Sequence, residues 1–184
     1  MKLEERVINE PIEILIVEDS PTQALQLQRI LEKYNYRVSV ANNGKEALAY
    51  MNGHKPTLVI SDIIMPDMDG YELCRQMKEN ENLADIPIIL LTKLSDREDR
   101  LKGLGLGADN FITKPYRESV LISRVRFLLA NFEMKKKEKR ERQKVKKSKI
   151  NVLTSVKIKF LIAPSKITNR IMLWWFKSLM KGDD

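Results

Sequence analysis

Glu18, Asp19, Asp62, Thr92 and Lys114 are five polar side chains that stand far apart in the sequence, each at the end of an apolar run. Glu18 and Asp19 follow directly on Ile14, Leu15, Ile16 and Val17, so two adjacent carboxylates end one such run. Like charges this close repel, and burial strengthens the repulsion, so a positive group belongs beside them. Asp62 ends "TLVISD", Thr92 ends "IPIILLT", and Lys114 follows "NFIT". Three carboxylates at one point favour a hard divalent cation with oxygen ligands, and magnesium typically uses one or two carboxylates together with phosphate and water. Lys114 adds further positive charge. Such a set suits an anion next to a metal, and a phosphoryl group is its natural guest.

Taken singly, each residue has a plainer reading. A strand-end aspartate is commonly a helix cap or turn residue, a strand-end threonine just a strand residue, and a lysine before proline a loop charge. Convergence is what changes the balance, and convergence depends on the elements that carry them. Residues 12–134 alternate between short apolar runs and segments of helical spacing. "IEILIV", "RVSVA", "TLVISD", "IPIILLT" and "NFIT" read as strands. Ser20–Pro21, a capping residue followed by proline, announces a helix whose apolar positions are Ala24, Leu27, Leu31 and Tyr34. "GKEALAYMNG", "DGYELCRQMKEN", the glycine-rich "DREDRLKGLGLG" and the long apolar "YRESVLISRVRFLLANFE" complete the helical segments. Five β–α units with continuous apolar strands imply an α/β fold, a doubly wound parallel sheet covered on both faces. The short loops exclude a TIM barrel. In open sheets of this kind a site lies beyond the carboxyl ends of the strands, which is the rim where all five residues fall.

The set "VEDS", "VISDIIMPDMDG", "LLTKL" and "GADNFITKPY" resembles the receiver domain of two-component response regulators over about residues 12–132. The resemblance implies a flavodoxin-like strand order 2-1-3-4-5, which the receiver fold itself illustrates. It implies that Asp62 accepts a phosphoryl group from a histidine kinase or phosphotransfer protein. It implies Mg²⁺ held at the acidic pair Glu18 and Asp19 and at Asp62, with Asp19 and Asp62 as direct ligands and the Ile64 carbonyl as a third. Lys114 would pair with the phosphoryl oxygens, Thr92 would move to hydrogen-bond them, and Phe111 would be the coupled aromatic switch. The Lys114–Pro115 bond is expected to be cis, a form that costs only about 0.5–1 kcal/mol before proline. The implied output surface is the face of the fourth strand, the fourth helical segment and the fifth strand, facing a downstream protein or a second copy in a phosphorylation-linked homodimer. Three departures from the family pattern stand out. Lys93 occupies a usually small position, where it would narrow access or meet an acidic partner. Phe111 has no hydroxyl, so its switch would be one of packing. Ile64 and Leu94 are apolar where polar groups would orient a hydrolytic water, which predicts slow self-dephosphorylation.

Rival chemistries fit less well. An aspartate-dependent phosphatase wants a second acid two residues after its nucleophile, and "SDIIMP" offers Ile64. A nucleotide switch would need a G-x-x-x-x-G-K-[ST] loop, and none occurs. The protein is not expected to turn over an external substrate; it would catalyse only its own phosphorylation and dephosphorylation. His54 reads as a surface residue, Cys74 as core or boundary, and Asp67 and Asp69 as loop and cap groups. A lone cysteine suits a reducing cytosol. "MKLEERVINEP" shows no secretory signal and no run nears the roughly 20 apolar residues of a membrane span, so a cytoplasmic location is expected.

Charge is distributed unevenly. Residues 1–134 hold 17 basic and 21 acidic side chains, a balance of −4. Residues 135–149 hold ten basic and two acidic, and residues 150–184 six and two, so the formal +8 of the chain resides in its tail. The expected organisation is an extension (1–11), a receiver (12–132), a basic linker or helix extension (133–149) and an amphipathic segment (150–184). Without a seam of apolar heptads the basic run is no coiled coil. It reads as a solvated linker, or as an electrostatic contact for nucleic acid or anionic membrane. In the last segment Ile167, Ile171, Trp174, Trp175 and Leu179 fall near one helical face, suited to a membrane interface, a partner or the receiver itself. No output domain is recognisable in the fifty residues after 134, which also suits the amino-terminal fragment of a larger signalling protein.

Overall fold

The protein is described here by a computed structural model that covers residues 12–93 and 105–161, with backbone alone for 148–161. The expectations for residues 1–11, for Leu94 and most of the glycine-rich segment, and for the tryptophan-bearing end of the tail lie outside these described residues.

Strands β1 (Glu13–Val17), β2 (Arg37–Ala41), β3 (Leu58–Asp62), β4 (Ile88–Thr92) and β5 (Asn110–Thr113) form one parallel sheet in the order β2-β1-β3-β4-β5. This is the α/β architecture and strand order that the sequence led us to expect. Helices α1 (Pro21–Lys33), α2 (Gly44–Met51), α3 (Gly70–Glu79) and α4 (Glu118–Leu161) accompany it. Side chains alternate between the two faces of a strand, and the apolar runs therefore feed two cores. Ile14, Ile16, Leu58, Ile60, Ile89, Leu91 and Ile112 pack with Leu27 and Leu31 of α1 and Leu121, Val125 and Leu129 of α4. Leu15, Val17, Val59, Ile88 and Leu90 pack with Ala47 and Met51 of α2 and Leu73, Cys74 and Met77 of α3. Removing β1, β3 and β4 from water on both sides is what lets consecutive residues along them be apolar.

Local chemistry sets the helix starts. Asn43 accepts the Glu46 N–H at 2.9 Å and caps α2. Asp69 accepts the Glu72 N–H at 2.7 Å and caps α3, as expected for it. Ser20 departs from expectation. It occupies the N-cap position with Pro21 behind it, but its side chain makes no capping bond. Its N–H instead donates to Glu18 Oε1 at 3.4 Å, so the chain entering α1 is tied to the acidic end of β1. Glu118 at the start of α4 accepts from Lys33 Nζ at 2.8 Å and from Tyr34 Oη at 2.9 Å. That pair of bonds joins α1 to α4 across 85 residues of sequence.

The chain divides into two compact units, residues 1–136 and 137–184. The first holds the sheet and both cores. In the second, the described side chains, Lys137 to Lys147, are all exposed on a continuous stretch of α4. Among the described residues, no helix is long and apolar enough to cross a membrane.

Candidate functional site

β1 lies between β2 and β3, so the direction of strand succession reverses there. A doubly wound sheet opens a crevice at such a point, outside the carboxyl ends of its strands. Glu18 stands one residue past β1, Asp62 is the last residue of β3, Thr92 the last of β4, and Lys114 follows β5. Carboxylate oxygens of Glu18, Asp19 and Asp62 lie within 4.8 Å of one another. Glu18 and Asp62 are buried, while Asp19 is exposed to solvent.

Lys114 answers the repulsion between them. Its ammonium donates to Asp62 Oδ2 at 2.6 Å, to Glu18 Oε2 at 2.7 Å and to Gln23 Oε1 at 2.9 Å. The lysine side chain is 9% exposed, and those of Glu18 and Asp62 are 2% and 7% exposed. Burial, the largest single influence, opposes the charged ammonium. The hydrogen bonds and charges of Asp62 and Glu18 together outweigh it and leave the lysine pKa raised. Lys114 is placed from the backbone too: its N–H donates to the Thr92 carbonyl at 2.6 Å, and the Lys114–Pro115 bond is cis, as expected.

The other oxygen of the acid, Asp62 Oδ1, accepts the Ile63 N–H at 2.6 Å and the Ile64 N–H at 3.4 Å. Backbone donors thus hold one edge of the carboxylate and Lys114 the other. Behind it, Gly70 N–H donates to the Ile63 carbonyl at 2.9 Å. A Cβ on Gly70 would collide with the Asp62 carbonyl oxygen and sit 3.0 Å from Ile63 Cα. Only glycine lets the first turn of α3 approach the acid's own backbone this closely.

Strand parity sorts the remaining residues. Thr92, 2% exposed, follows Leu90 by two and so shares its face, the face of the α2/α3 core. Phe111 pairs with Leu90 in register and packs, half-buried, against that same core. Asp62 and Lys114 continue the opposite parity, that of Ile60 and Ile112 in the α1/α4 core. Ile64 exposes its side chain just beyond Asp62. Lys93, Lys114, Gln23, Gln26, Pro115 and Tyr116 line an adjoining cavity of about 390 Å³. Lys93 therefore stands at the mouth of the site. His54 is exposed and stacks on Tyr50 at 4.5 Å, away from these groups, and Cys74 is buried.

Sequence reasoning did not single out Gln23 or Gly70. Gln23 is the third residue of a helix that begins at the acidic rim, and that position was the available signal. Nothing local distinguishes Gly70 from any glycine at a helix start.

A doubly wound five-stranded sheet with a carboxylate cluster and a lysine at its switch point defines a receiver-type α/β domain. The chain belongs to the response regulator receiver domain family, whose family model matches residues 14–126. It is 40% identical over 120 residues to the probable transcriptional regulator ycf27 of Cyanophora paradoxa, covering 65% of this chain and 49% of that one. It is 38% identical over 130 residues to the response regulator PleD of Caulobacter vibrioides, covering 71% of this chain and 28% of the relative. The match thus spans half or less of these curated relatives. Among solved structures, the signal receiver domain of a signal transduction histidine kinase from Syntrophus aciditrophicus is 52% identical. It superposes with a TM-score of 0.62 over 65% of this chain and 90% of that one. A putative response regulator from Chloroflexus aurantiacus is 33% identical, with a TM-score of 0.64 over 66% and 99%.

Proposed function

We propose that this receiver takes a phosphoryl group onto Asp62 from a phosphohistidine of a histidine kinase or phosphotransfer protein. An Asp62 carboxylate oxygen attacks phosphorus, the P–N bond breaks, and the imidazole leaves with the bonding pair. The observation that carries this reading is the buried Asp62–Lys114 pair at 2.6 Å inside a three-carboxylate cluster. An aspartate is a weak nucleophile, so positioning and charge neutralisation must supply the rate. The Ile63 and Ile64 N–H groups orient the acid. Lys114 offsets charge on the transferred group, and the Thr92 hydroxyl moves to hydrogen-bond it, with Phe111 repacking alongside. That displacement makes the β4–β5 edge the bistable element read by a downstream protein or a second copy.

The carboxylate oxygens of Glu18, Asp19 and Asp62 suit Mg²⁺ in type and spacing, and the Ile64 carbonyl would add a ligand of the same type. Bound there, the ion would offset charge on the phosphoryl oxygens. A single cysteine, Cys74, which leaves no intramolecular disulfide to form, suits work in the reducing cytoplasm.

The test is labelling with a small acyl phosphate, with and without Mg²⁺, in the wild type and Asp62→Asn. Label is expected only on the wild type with Mg²⁺, and label on the Asn variant refutes the assignment. The purified phosphoprotein should then lose its label slowly, because the exposed Ile64 offers no polar group to orient water. A lifetime of seconds would contradict that part.

A further inference from the structure

We propose that Gln23 is a positioning residue for Lys114, the anchor the ammonium keeps while its other partners are claimed by chemistry. The proposal rests on the reading of Asp62 as phosphoacceptor and adds a residue to it.

An ammonium has three N–H donors and no acceptor. In Lys114 the three point to three different residues, Asp62, Glu18 and Gln23. Two of these acceptors belong to the carboxylate cluster. Their oxygens are the ones that a divalent cation and an esterified Asp62 would draw away from the lysine. Gln23 stands outside the cluster. Its carboxamide is neutral, does not titrate, and competes poorly with carboxylates for a hard cation. It is also fixed from behind, since it precedes the buried Ala24 and rides on a helix held by Leu27 and Leu31.

As Asp62 becomes an acyl phosphate, one lysine N–H must pass from the carboxylate to a phosphoryl oxygen. The bond to Gln23 Oε1 keeps the ammonium within reach during that exchange. Without it, a long flexible side chain has to find the phosphoryl group by itself. A hydrogen bond to a charged group is worth enough to change a rate about tenfold.

Two variants and two readouts test this. Gln23→Met removes the acceptor at similar length; Gln23→Asn keeps a carboxamide one methylene too short to bridge 2.9 Å. The first readout needs neither metal nor phosphodonor. In ¹⁵N-lysine spectra of the metal-free protein, assigned with Lys114→Met, the Lys114 ammonium protons should exchange with water several-fold faster in both variants. The second readout is phosphorylation by a small acyl phosphate, which should slow about tenfold in both while Mg²⁺ affinity stays unchanged. Wild-type ammonium exchange in the variants overturns the proposal, and so does a wild-type rate. A slower rate with unchanged exchange also overturns it, because Gln23 would then act by some other route. If Gln23→Met does not fold, Gln23→Asn supplies both measurements. Equal labelling of wild type and Asp62→Asn would instead sink the phosphoacceptor assignment, and the exchange experiment would still decide whether Gln23 anchors Lys114.

Discussion

Lys114 is the residue that lets Glu18 and Asp62 be buried side by side. Removing one partner of such a group costs about 3–5 kcal/mol, because charge is left buried without compensation. Lys114→Met should therefore unfold at a lower urea concentration than wild type at neutral pH. The pH dependence has a definite sign. The folded-state pKa of Lys114 is raised above 10.5 because its bonds to Asp62 and Glu18 outweigh its burial. A raised pKa contributes stability that is full below the unfolded value and is lost as pH climbs through the folded one. The gap between wild type and Lys114→Met should hold steady into mildly alkaline solution and shrink above pH 10.5. A gap that stays constant to the alkaline limit of folding would show that the ammonium charge is not what the variant removes.

Among the elements, α3 depends most on a single atom's absence. Its first turn presses Gly70 against the backbone of Asp62 and Ile63, where a methyl group has no room. Gly70→Ala should destabilise the protein by about 1–3 kcal/mol, the usual cost of forcing a side chain into filled space. A urea midpoint equal to wild type would mean that α3 can back away from β3 without loss. The same contact shows what could be read from the sequence and what could not. Strands announced themselves as apolar runs because both faces of the sheet are covered. Asp62, Thr92 and Lys114 were visible because each terminates or follows such a run. Gly70 and Gln23 were not, since each matters through an approach between elements that no periodicity records. Ser20 marked the start of α1 correctly, standing at its N-cap ahead of Pro21, although its side chain makes no capping bond. The tie of its N–H to Glu18 Oε1 is a contact that its residue type does not reveal.

At the scale of the whole molecule, the charge is segregated. Residues 1–134 balance at −4, whereas residues 135–149 alone carry ten basic side chains against two acidic. From Lys135 to Lys147 the described side chains are exposed on a helix, where Lys136 pairs with Glu133 and Lys144 with Glu141 at its surface. A second reading follows, in which the receiver regulates a basic segment that grips a polyanion. The full chain should then bind duplex nucleic acid with an affinity that falls linearly in log–log terms as salt rises. Reversing Lys135, Lys136, Lys146 and Lys147 to glutamate should abolish it. Binding that ignores salt, or no binding at low salt, removes this reading.

The sheet is also a wall. Asp62 and Lys114 follow the parity of one side, whereas Thr92 and Phe111 lie on the other. On the proposed reading, a group on Asp62 is gripped by Lys114 from the room shared by α1 and α4, while Phe111 repacks in the room next door and Thr92, the last residue of β4, reaches the group around the open rim. Holding the cargo and announcing its arrival would then fall to different halves of the domain.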